Sequence, residues 1–156
     1  MNDPVILAAQ AAFGARLREG SNVSDHTKNA QAIARAWRLA VHDLNPDRYQ
    51  IETLVAPDLD QRLDVLDLET STAYEFKVSG KNATAEFYKD VVKVIVWNER
   101  RRKRIVRLVF ITEEEWGRKS LNTPMPREYI KHLKMHELDV SVVYIKHTGQ
   151  AVPGDA

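Results

Sequence analysis

The chain has no cysteine in its 156 residues, so disulfides, thiolate metal centres and a secreted disulfide scaffold are all excluded. It lacks any apolar run near the ~20 residues that a bilayer-spanning helix needs. The start, MNDPVILAAQAAF, carries no basic leader. These absences point to a cytoplasmic protein with no membrane partner. There is no glycine loop of the phosphate-cradling or dinucleotide type and no serine or cysteine nucleophile motif, so ATP-driven and covalent mechanisms find no support. No internal repeat, low-complexity tract or linker is visible. Nor is there a dominant sign of charge: 23 basic and 22 acidic residues leave a formal net charge of +1. What matters is how that charge is distributed. An apolar fraction of 44% in a chain this long is enough for one core, and too short a length remains for two.

The hydrophobic period divides the chain. Asp3-Pro4 is a helix start, giving a helix over 3–19. A second helix opens at Ser24 or Asp25, with Ala30, Ile33, Trp37, Val41 and Leu44 along one face, and Asn45-Pro46-Asp47 ends it. Strands are predicted at 49–57, 62–67 and 72–78, with DLDQ and LETS as the connecting loops. A helix follows over 84–100, its apolar face expected at Tyr88, Val91, Val92 and Ile95, with Lys89, Lys93 and Trp97 in an adjacent stripe. VRLVFIT (106–112) reads as a strand buried on both faces. A short helix (113–119), a helix (126–137) and a strand (139–146) complete the domain, and 147–156 is expected to be flexible. The fold class is α/β, a single domain with a central mixed sheet flanked by helices.

The stretch RLDVLDLETSTAYEFK (62–77) places charges inside strand-like sequence. As a hairpin whose loop is centred between Glu69 and Thr70, paired residue numbers sum to 139. Leu63 then faces Phe76 and Val65 faces Tyr74, aromatic–aliphatic pairs that stabilise a sheet. On the same register Asp64 lies opposite Glu75, and Lys77 projects from the same face as Glu75. Two opposed carboxylates cost about a few tenths to 1 kcal/mol when solvated. A divalent cation between them removes that cost, and carboxylate oxygens suit Mg²⁺. A nearby lysine can orient or help deprotonate water and neutralise charge on a phosphate. The plainer alternative is the wet face of an antiparallel sheet.

Taken together, the hairpin, the following helix and the buried strand resemble the PD-(D/E)xK nuclease superfamily, whose fold is restriction-endonuclease-like. RLD (62–64) and EFK (75–77) carry the likeness, which covers about 24–112. Leu63 stands where the family usually has proline. The resemblance implies a Mg²⁺-dependent endonuclease hydrolysing DNA, with Mn²⁺ able to substitute. It makes Asp64, Glu75 and the Phe76 backbone carbonyl metal ligands and gives Lys77 the water-activating or transition-state role. Many members add a carboxylate from the first core helix, but 28–42 contains none; Glu52, Asp25 or Glu19 are the alternatives. Lys89 is the candidate for the polar residue that many families carry on the next helix. A domain this small implies a homodimer or a larger recognition subunit. The competing readings are a catalytically silent DNA-binding or accessory subunit of this fold, and an unrelated interaction domain with an accidental Glu-x-Lys.

Other clusters compete for a role. ERRRKR (99–104) concentrates positive charge, and Arg100, Arg101, Arg102 and Lys103, with Lys81, Lys89 and Lys93, are candidates for phosphate contacts. The alternative for the run is a solvated helix-to-strand connection. His132 and His136 have the i, i+4 spacing of a shared metal, but Leu133 stands where zinc enzymes of that type want glutamate. They read as exposed helix histidines. Glu113–Glu115 reads as an acidic helix start, Trp37 and Trp97 as core, and Trp116 as half-exposed.

Overall fold

The computed structural model describes residues 2–18, 27–146 and 150–154. Five helices and six strands follow in the order α1 (Pro4–Arg18), α2 (Thr27–Leu44), β1 (Tyr49–Ala56), β2 (Leu59–Asp67), β3 (Thr72–Lys77), α3 (Ala83–Arg100), β4 (Arg107–Glu113), α4 (Glu114–Leu121), α5 (Pro124–Met135), β5 (Asp139–Ile145) and β6 (Ala151–Pro153). The strands form one sheet in the order β1-β2-β3-β4-β5-β6. β1, β2 and β3 are antiparallel neighbours, β3, β4 and β5 run parallel, and β6 returns antiparallel to β5. The α/β class with a central mixed sheet is therefore observed.

Helices cover both faces. On one side, Val5 and Phe13 of α1 and Ile33, Trp37 and Val41 of α2 pack with Val65, Tyr74, Phe76, Val109 and Ile111. On the other, Phe87, Val91 and Val94 of α3 and Leu133 of α5 pack with Leu66, Ala73, Leu108, Phe110 and Val140. β4, the middle of the parallel part, is buried at every position after Arg107, as its apolar run demands. Polar tips fix the layers. Asp3 caps the Val5 N–H (2.9 Å) and accepts from the Tyr74 hydroxyl (2.8 Å), while the Trp37 indole donates to the Val5 carbonyl (3.0 Å). Trp37 and Trp97 are buried and Trp116 is 41% exposed. Glu113 accepts from the Glu115 and Trp116 N–H groups and so caps α4.

The β2–β3 register agrees with the sequence: Val65↔Tyr74, Leu66↔Ala73 and Asp67↔Thr72 enclose the four-residue loop LETS. Asp67 holds this loop, accepting from the Glu69 N–H (3.0 Å) and the Thr70 hydroxyl (2.7 Å) while paired bidentately with Arg48 (2.9 Å twice).

Several expectations need correction. Leu63 does not share a face with Val65: it packs on the α3 side, Val65 on the α2 side. β1 changes face in step, with Ile51 on the α2 side and Val55 on the α3 side. Between them Glu52 takes a left-handed backbone (φ 50°), and the ladder skips from Ile51↔Val65 to Thr53↔Leu63. DLDQ is not a loop, since β2 already begins at Leu59. The buried face of α3 is Ala83, Phe87, Asp90, Val91, Lys93, Val94 and Trp97, rotated from the expected stripe, and Val92 is 51% exposed. The face of Glu75 is not wet, because α3 lies across it. The tail is not free throughout: Ala151–Pro153 pair with Val143–Ile145, and 147–149 lie outside the described residues.

Candidate active site

The twin kink of β1 and β2 is what builds the site. At Asp64 the strand leaves the regular ladder, which stops at Val65↔Tyr74. The two carboxylates replace the missing ladder bonds: Asp64 Oδ2 accepts from the Phe76 N–H (3.1 Å) and Glu75 Oε1 from the Asp64 N–H (3.4 Å). Asp64 and Glu75 thus meet across the hairpin, Glu75 on the Asp64 N–H and Asp64 on the N–H of Phe76. Asp64 stands where the strand changes face, and the Arg38 guanidinium of α2 lies 4.0 Å from its Oδ1 and 3.6 Å from Glu52.

The charge of Glu75 is fully buried (0% exposed). Its partner is Lys93 of α3, whose Nζ lies 2.8 Å from Glu75 Oε1, 2.8 Å from Asp90 Oδ1 and 2.8 Å from the Arg62 carbonyl. Asp90 is also fully buried. Glu75 Oε2 and Asp90 Oδ2 have no hydrogen-bond partner among the described residues. Burial, and then the Asp64 and Asp90 charges, push the Glu75 carboxyl well above its ordinary range, with Lys93 pulling the other way. Burial also raises Asp90 against the pull of Lys93 and Lys77. One ammonium between two buried carboxylates leaves an excess negative charge, so the pair titrates as a unit with a raised pKa.

Lys77, one alternation beyond Glu75, forms an ion pair with Glu86 at the start of α3 (3.2 Å), which Lys89 also approaches (3.3 Å). Burial opposes the charge on Lys77, but Asp90, Asp64, Glu86 and Glu75 outweigh it and raise its pKa. At neutral pH this side chain is an ammonium. An open cleft of about 370 Å³ between the β1–β2 tip and α3, lined by Leu59, Tyr88, Val92 and Lys89, leads from the surface to Lys93.

The structure therefore brings Asp64, Glu75 and Lys77 together, with Glu52 and Lys89 at the margin. Asp25 and Glu19 lie outside the described residues. Lys93 needs correcting: it is 7% exposed and committed to Glu75 and Asp90, so it is an internal counter-ion and not a groove cation. The run after α3 is tied down as well. Arg100 pairs with Asp58, Arg101 stacks on Trp97 (3.4 Å) and donates to the Val55 carbonyl (2.6 Å), and Lys103 donates to the Leu68 carbonyl (2.9 Å). Seven residues of helix put Arg100, the last residue of α3, about 10 Å from Lys93 along the axis, and Arg101 and Arg102 lie beyond the helix end. Arg102 is exposed, and Lys81 lies 6.0 Å from the Trp116 ring. The His132 and His136 rings lie 4.6 Å apart, tilted by 56° to one another.

Sequence reasoning missed Asp90, Glu86 and Arg38. For Asp90 a signal existed: it falls on the stripe Phe87, Val91, Val94, where a carboxylate has no reason to be unless it meets a charge. Among the described residues, no three His, Asp or Glu side chains converge closely enough to hold a metal ion. No helix among them is long and apolar enough to cross a membrane.

No protein-family model matches the chain, and neither does any curated protein. Among solved structures it is similar to NucC of P. aeruginosa ATCC27853 in a cAAA-bound form. The TM-score is 0.54 at 12% identity, covering 100% of this chain and 85% of that one. At that identity the likeness is one of fold.

Proposed function

We propose that the chain is a divalent-cation-dependent nuclease of the PD-(D/E)xK type that hydrolyses DNA phosphodiester bonds. One observation carries the reading: Asp64 and Glu75 meet across a kinked hairpin, with Lys77 one alternation on. Support comes from the fold, which is shared with NucC, a nuclease of that superfamily.

The donor set fits a hard cation. It consists of oxygen ligands only, and Glu75 Oε2 is buried with no hydrogen-bond partner among the described residues. Asp64, Glu75 and the Phe76 carbonyl would hold Mg²⁺, or Mn²⁺ in its place. When bound, the ion lowers the pKa of water and offsets charge developing on phosphate. The chain's own residues do the rest. Lys77, an ammonium among the surrounding carboxylates, offsets the developing phosphate charge or orients the attacking water. Arg38 fixes the position of Asp64. Lys89 and Lys81, both exposed near the start of α3, contact the DNA backbone. Recognition of a particular DNA is left to a second copy or a larger partner.

The catalytically silent alternative has one observation in its favour, the Lys93 ammonium already lying between Glu75 and Asp90. The two separate on supercoiled and single-stranded DNA incubated with Mg²⁺, Mn²⁺ or EDTA. Cutting that needs the cation and disappears in Lys77→Ala supports the enzyme. Salt-sensitive binding without cutting supports the accessory subunit.

A further inference from the structure

The helix after the hairpin contributes a carboxylate that the Asp-Glu-Lys constellation does not contain. Asp90 faces the sheet from the buried side of α3, fully enclosed, with Oδ2 lacking any partner among the described residues. Glu75 Oε2 is in the same condition. Leaving two carboxylate oxygens dry and unpaired costs free energy that a purely structural pair would avoid by better geometry. Lys93 satisfies one oxygen of each and leaves the other open.

The electrostatics tie the three carboxylates together. Asp64 and Asp90 both act on Glu75, and Asp64 also acts on Asp90. Against three carboxylates stand Lys93, buried between Glu75 and Asp90, and Lys77, which leans away toward Glu86. A compact double positive charge suits this arrangement better than one ammonium does.

We propose that Asp90 is a third carboxylate of the cation site, and that the Lys93 ammonium competes with the cation for the oxygens of Glu75 and Asp90. This rests on the nuclease reading. It also accounts for the lack of convergence among the acidic side chains of the described residues, since Lys93 holds the Asp90 carboxylate at 2.8 Å. Lys93 reaches its position on a flexible four-carbon stem, and the Arg62 carbonyl offers it a third partner, 2.8 Å away. When a divalent ion binds, the ammonium remains on that carbonyl and turns toward the cleft. The metal-free site is in this way partly charge-compensated by a side chain that competes with the metal.

Mn²⁺ binding, measured by calorimetry and by the shift in melting temperature, tests this without reference to cleavage. Asp90→Asn is expected to weaken binding about tenfold or more, the usual effect of losing a supporting ligand. Lys93→Gln is expected to strengthen it about tenfold and to show a larger Mn²⁺-induced melting shift than the unsubstituted protein. The double variant separates a ligand from a mere partner of Lys93. If Asp90 is a ligand, Asp90→Asn still costs about tenfold when Lys93 is already glutamine. If it acts only through Lys93, that cost vanishes and the proposal is overturned. Should Lys93→Gln not fold without metal, the same comparison is made in a Lys93→Met background, which removes the ammonium and keeps the stem. Binding abolished by Asp64→Asn but unchanged in Asp90→Asn sinks this proposal and leaves the Asp64–Glu75 site standing. No binding at millimolar Mn²⁺ overturns both.

Discussion

Glu75 shows how a functional carboxylate strains the fold that holds it. It is wholly enclosed, shares one ammonium with Asp90, and has a carboxyl pKa well above the ordinary 4.5. A carboxyl raised in the folded state favours folding at pH below its unfolded pKa and loses that contribution as pH rises through the folded one. Glu75→Gln is therefore expected to melt higher than the unsubstituted protein at pH 7–8, with the gap closing as pH falls through the raised pKa. Melting curves of both across pH 4–8 check this, and an equal or lower melting point at pH 8 would contradict it. Cleavage should be lost in the same variant. That Asp64, Glu75 and Lys77 come near one another was legible in the sequence because strand alternation and cross-strand pairing are local rules. The burial of Glu75 was not, because it depends on which face of a distant helix lands on it.

At the scale of elements, the β2–β3 register followed from Val65↔Tyr74 and a four-residue loop. The departure from a regular ladder did not, because it originates in the backbone of the neighbouring strand. Glu52 has no glycine or asparagine to announce a left-handed conformation, yet its φ is 50°. There both strands change faces, freeing Asp64 to turn toward Phe76. Non-glycine residues cost about 1–2 kcal/mol there, and β-branched ones are genuine outliers. Glu52→Gly should thus be neutral or stabilising by up to about 1 kcal/mol, and Glu52→Val destabilising by about 1–2 kcal/mol. Urea unfolding measures both, and the reverse order would mean that β1 is not kinked here. The α3 face was misread for a related reason. Tyr88, Val92 and Ile95 are apolar and match a helical period, but the helix turns Asp90 and Lys93 inward to meet Glu75.

For the whole molecule, the α/β class with a mixed sheet followed from the alternating hydrophobic periods, and the fold match to NucC agrees with it. The closing strand was invisible: AVP is too short and too bland to stand out in sequence, yet it pairs with β5 and buries Ala151 beside the α1 layer. Removing residues 150–156 should cost about 1–3 kcal/mol for the lost ladder bonds and leave β5 as an open edge prone to association. Denaturation and light scattering would register both, and an unchanged midpoint would show the strand to be dispensable. The molecule's near-neutral charge masks a division of labour: Arg100 and Arg101 secure the β1–β2 tip and Lys103 the β2–β3 loop, while Arg38, Lys77 and Lys93 surround the carboxylates of the site. The central claim is that Asp64 and Glu75 form a working cation site for hydrolysis. The most direct measurement is the Mg²⁺-dependent rate of plasmid cutting by the unsubstituted protein and by Asp64→Ala. A rate abolished by EDTA and reduced by about a thousandfold or more in Asp64→Ala, on the scale of losing a principal electrostatic group, is the expected result. Asp64→Ala cutting within a few-fold of the unsubstituted protein would contradict it.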